Sequence, residues 1–98
     1  MAATSRPKPG RPRGSRTFDA TSAVAFGAVV REARLAAGLS QEALAIESNV
    51  ERSHFSRIER GLSQPTLYVI IKIAHALNTK ASVLVVATER ALAGQRGR

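Results

Sequence analysis

Residues 38–61 read GLSQEALAIESNVERSHFSRIERG, and the rest of the chain is organised around them. Ser40 is a strong helix N-cap, and Glu42 sits in the first turn, where the helix dipole favours negative charge. A short helix over 41–48 is therefore predicted, with Leu44 and Ala45 buried. Asn49 breaks it, because asparagine is one of the few non-glycine residues that tolerate positive φ, and Val50 anchors the turn that follows. The next helix carries Phe55, Ile58 and Leu62 inward, turns Arg52, Ser53, Ser56, Arg57 and Arg60 outward, and ends at Gly61. Two short helices joined by a three- or four-residue turn, the second presenting cations and hydroxyls, form the unit that carries an α-helix into the major groove of DNA. Arginine suits guanine there because its planar fork meets two acceptors together, while serine serves bases or phosphates.

On the N-terminal side, order is expected to begin near Ser22. Phe26, Val30, Ala33 and Ala37 recur at i, i+4, i+7 and i+11, one stripe of a helix, and Gly38 follows as its end. On the C-terminal side, Pro65 and Thr66 start a fourth helix, in which Leu67, Ile70, Ile71, Ala74 and Leu77 are expected inward and which Asn78 closes. The segment 81–91 is read as a fifth helix, with strand as the alternative because Val83, Val85 and Val86 are β-branched. The expected fold is all-α: a disordered basic arm over 1–20, a five-helix domain over 21–91 and a short basic tail over 92–98.

Composition agrees with a polyanionic partner. The 98 residues hold 15 Lys and Arg against 7 Asp and Glu, a net charge of +8, more than solubility alone asks of so small a domain. Arg6, Lys8, Arg11, Arg13 and Arg16 precede the first acid, so five of the eight excess charges lie in the arm. A core this thin, without a cysteine to reinforce it, makes dimerisation a natural source of stability. The apolar runs are too short to span a bilayer, and a cytoplasmic protein is expected. Catalysis is not: no nucleophile has a base–acid partnership, no glycine loop cradles phosphate, and no carboxylates pair at a useful spacing. His54 and His75, with Asp19 as the single aspartate, do not make a metal site, and no cofactor is expected. His75 falls on a polar helix face; His54 lies beside the outward face of the third helix.

The run Gly38 to Ala45, then Val50, Phe55 to Gly61, Pro65-Thr66-Leu67 and Ile73 to Leu77, resembles the phage-repressor and Cro type of helix-turn-helix, also called the XRE type. The resemblance extends without gaps from about Phe26 to Leu84. It implies a lambda-repressor-like fold and a sequence-specific transcriptional regulator, by default a repressor, binding a palindromic operator as a dimer. Carried over to this chain, it makes Gln41 a phosphate contact that braces the recognition helix. Arg52, Ser53 and Arg57 become base-facing, and Ser56 and Arg60 lie near the DNA backbone. It further implies a buried ion pair between Arg34 and Glu59, and a dimer contact around the fifth helix, for which Leu84, Val85 and Val86 are the candidates. The chain departs from the pattern at Glu51, where a capping Ser or Thr is common, and at Asn49, where glycine is usual. In the arm, Pro9-Gly10-Arg11-Pro12-Arg13-Gly14 resembles the AT-hook, which lays arginines such as Arg11 and Arg13 into a narrow minor groove. Two other functions fit the same residues: an antitoxin that represses its own promoter and neutralises a toxin partner, and a nonspecific nucleic-acid binder acting through its basic ends.

Overall fold

The computed structural model describes residues 19–96, which form five α-helices: α1 (Ala20–Ala36), α2 (Gln41–Ser48), α3 (Arg52–Glu59), α4 (Leu67–Ala76) and α5 (Ala81–Arg96). The expected arm lies outside the described residues, apart from its last two. There Asp19 caps α1, its carboxylate accepting from the Thr21 N–H, so the helix opens at Ala20, inside the span assigned to the arm. At the other end α5 runs through Gly94 to Arg96, beyond the expected boundary at Ala91. One glycine in the last turns costs a helix only about 1 kcal/mol, and Leu92, Ala93 and Gln95 around it favour continuation. No single helix among the described residues is long and apolar enough to cross a membrane.

The core gathers Phe26 and Val30 of α1, Leu44 and Ala45 of α2, and Phe55 and Ile58 of α3, with Val50 from the turn. Ile73 and Ala74 of α4 and Leu84 of α5 close it. The buried residues of α1 are Ala23, Phe26, Gly27, Val30 and Arg34, at i, i+3, i+4, i+7 and i+11, together with Ala25. Ala37, expected among them, is the exposed C-cap. Gly27 permits a close approach of α1 to α3. A Cβ there would fall on the carbonyl oxygens of Ile58 and Glu59, so α1 and α3 meet backbone to backbone.

In α4 the inward face is turned from the expected one. Ile73 and Ala74 are buried and Val69, Ile70 and Leu77 pack beside them, whereas Leu67 is 68% exposed and Ile71 stands at the surface. The helix is apolar almost all round, so its periodicity fits two rotations. Tyr68, Lys72 and His75, at i, i+4 and i+7, mark the wet side and select the observed one. Leu62 is 47% exposed because Gly61, at φ 74°, has already turned the chain away from the core. The valine-rich last element is a helix: Leu84 and Thr88 point inward at i and i+4, with the Thr88 hydroxyl donating to the Leu84 carbonyl at 2.8 Å. Leu84 is only 3% exposed, so the core claims it and it is not a free dimer contact; the exposed valines of α5 are Val83, Val85 and Val86.

Candidate nucleic-acid interface

Helix α2 begins and ends where its capping signals place it. The Ser40 hydroxyl accepts from the Ala43 N–H at 3.0 Å, and Asn49 takes the left-handed conformation at φ 57°. The Val50 N–H then reaches back to the Ala45 carbonyl at 3.0 Å and closes the turn. On α3, Phe55, Ile58 and Glu59 face the interior. At 100° per residue, Arg52, Ser53, Ser56, Arg57 and Arg60 occupy an arc of roughly 140° on the other side. Arg52, Ser53, Arg57 and Arg60 are exposed, and Ser56 and His54 are half-buried. Glu51 makes no side-chain capping hydrogen bond, so the departure from Ser or Thr leaves the start of α3 without that support.

What orients this helix is one buried carboxylate. Glu59 receives Arg34 Nε at 2.7 Å and Nη2 at 3.1 Å, a bidentate pair, and also Gln41 Nε2 at 2.9 Å. Arg34 Nη1 meanwhile donates to the Leu39 carbonyl at 2.8 Å. Thus α1, the loop after it, the first residue of α2 and the last of α3 meet at one ion pair. Charge-assisted bonds of this kind are short and directional, which suits them to holding an angle between helices. Gln41, expected to brace the recognition helix, is hydrogen-bonded to it.

Two further residues act on the same unit, and sequence reasoning missed both. Lys72 Nζ donates to the Asn49 carbonyl at 2.9 Å while lying 4.7 Å from the Tyr68 ring centroid, so a cation from α4 covers the C-terminal end of α2. The Tyr68–Lys72 spacing was visible in the sequence; the partner 23 residues away was not. Gln64, after α3, contacts the start of α1. Arg57 Nη2 donates to the Leu62 carbonyl at 3.2 Å, which leaves the other guanidinium N–H groups available on an exposed side chain. Arg11 and Arg13 lie outside the described residues, and Val85 and Val86 are on α5, apart from the face of α3.

A helix-turn-helix family model matches residues 30–84. The chain belongs to the XRE-type helix-turn-helix family, a family of DNA-binding transcription regulators. It is 40% identical over 60 residues to an uncharacterised HTH-type transcriptional regulator of Mycobacterium tuberculosis, a match covering 61% of this chain and 43% of that protein. The chain therefore aligns with less than half the length of that relative. Among solved structures, it is similar to the restriction-modification controller protein C.AhdI from Aeromonas hydrophila, with a TM-score of 0.62 and 44% identity over 63% of this chain and 94% of the other. It is also similar to the controller protein C.Esp1396I, solved as a tetramer in complex with its natural 35 base-pair operator, with a TM-score of 0.65, 28% identity, and coverage of 70% of this chain and 91% of the other.

Proposed function

We propose that this chain regulates transcription by reading an inverted-repeat operator as a dimer, with α3 in the major groove of each half-site. The observation that carries this reading is the face of α3: Arg52, Ser53 and Arg57 are exposed on a helix whose angle is held from behind by Glu59, Arg34 and Gln41. Arg52 and Arg57 offer forks to guanine, Ser53 a hydroxyl to a base edge, and Ser56 and Arg60 flank them toward phosphates. Val83, Val85 and Val86 supply the exposed apolar surface of α5 for a second copy, and a two-fold dimer of this kind reads half-sites one helical turn apart. The arm, through Arg11, Arg13 and the other cations before Asp19, adds phosphate or minor-groove contacts. Repression follows when the operator overlaps a promoter, since a bound dimer blocks polymerase. The operator-bound tetramer of the related controller protein supports assembly of this kind.

The test is selection of bound duplexes from a random-sequence pool at moderate salt, followed by sequencing. An inverted repeat with half-site centres about 10–10.5 base pairs apart is the expected result. Recovery of no motif would contradict the reading and point to nonspecific binding or to a function exercised through another protein.

A further inference from the structure

The chain enters the described domain at Asp19, and its first long-range contacts are with the loop that follows α3. Gln64 Oε1 accepts the Asp19 N–H at 3.0 Å, and Gln64 Nε2 donates to Ser22 Oγ at 3.3 Å. Ser22 Oγ in turn donates to the Asp19 carbonyl at 3.2 Å, so the three residues close a ring of hydrogen bonds. The same loop touches α1 again at Gly61, where an added Cβ would come within 2.8 Å of Val24 Cα. Its Leu62 carbonyl holds Arg57. One short loop is thus tied at one end to an arginine of the reading face and at the other to the root of the basic arm.

The Gln64 bonds are not needed to form the helix. The N–H of an N-cap residue lies outside the helical ladder, and the Asp19 carboxylate already serves the first turn of α1. Exposed neutral hydrogen bonds of this type also add little to folding. What they set is where the chain leaves the domain. Arg16 is three residues from Asp19 and Arg6 thirteen, so at about 3.3–3.6 Å per residue these cations reach within roughly 10 Å and 45 Å of the anchor. A tethered cation gains from high effective concentration only where its root lies near the phosphates it meets.

We infer that Gln64 is a positioning residue for DNA binding: it clamps the root of the basic arm to the loop after α3, so that arm and recognition helix engage the same duplex. This rests on the proposal that both bind DNA, and the experiment separates the two claims. Affinity for the selected duplex is measured for four full-length proteins. These are the original chain, Gln64→Met, a chain with the five arm cations replaced (Arg6→Gln, Lys8→Gln, Arg11→Gln, Arg13→Gln and Arg16→Gln), and the combination. Methionine keeps the length of Gln64 in the shallow cleft it shares with Phe26 and Pro65, but neither donates nor accepts as the amide does. Gln64→Met is expected to weaken binding by roughly three- to tenfold in the original chain and not at all once the arm is neutral, with the melting temperature unchanged. An equal loss in both backgrounds, or no loss in the original chain, overturns the clamp while leaving the arm's own contribution intact. No change on neutralising the arm overturns the DNA-binding role of the arm, and the clamp with it.

Discussion

Glu59→Ala is expected to cost about 3–5 kcal/mol, the loss seen when one partner of a buried ion pair is removed. The Arg34 and Glu59 side chains are only 9% and 2% exposed, so the guanidinium left behind would stay out of water with the Leu39 carbonyl as its remaining partner. Gln41 would lose its partner as well. A domain of this size has only some 4–12 kcal/mol of total stability, so a quarter of it or more would go. Thermal unfolding should show a midpoint lower by about 15 °C or more. Replacing both ends, Arg34→Met with Glu59→Met, should recover much of the loss, because an apolar pair carries no desolvation penalty. The double variant would still lack the bond from Gln41 to α3. Its DNA affinity is then expected to remain low even where its stability returns, which separates holding the helix angle from holding the fold.

Gly27→Ala is expected to cost about 3 kcal/mol, the upper end of overpacking penalties. Two effects oppose each other. Alanine favours a helix by about 1 kcal/mol over glycine, which would stabilise α1 at an open position. Here the new Cβ would lie 2.7 Å from the Glu59 carbonyl oxygen and nearer still to that of Ile58. Backbone atoms of α3 cannot swing aside as a side chain can, so the clash wins and the two helices must part. Denaturant unfolding should show the lower midpoint with an unaltered slope. An unchanged or raised midpoint would mean that α1 and α3 are not in backbone contact.

The residues around Gly27 show where a one-dimensional reading stops. Local signals were legible: the Ser40 cap, the left-handed Asn49, the Gly61 terminator and the inward Leu44, Phe55 and Ile58 all act between residues a few positions apart. The inner face of α1 was only half legible, because it includes Gly27 and Arg34, which count as breaker and charge in any hydrophobic pattern. Each is explained by a partner on α3, Glu59 for Arg34, 25 positions away, and the Ile58 and Glu59 backbone for Gly27. Leu84 shows the opposite difficulty: among four apolar neighbours on α5, only the packing of α1 and α4 decides which turns inward. The ion pair at Glu59 and the brace from Gln41 came from family resemblance and not from spacing. The contacts of Gln64, and that of Lys72 with Asn49, had no signal in either, since a polar side chain on a loop or a wet helix face looks like ordinary surface until its distant partner is known.

The most direct measurement is the affinity of Arg57→Ala for the selected duplex and for a scrambled one of equal length, side by side at one salt concentration. Arg57 is exposed at one edge of the outward arc of α3, and losing a forked contact to a base costs about 1–3 kcal/mol of discrimination. A loss of roughly 5- to 150-fold on the selected site, with little change on the scrambled one, is the result expected of a base-reading helix. Equal losses on both duplexes would show that Arg57 meets only phosphate and that α3 does not read sequence through it.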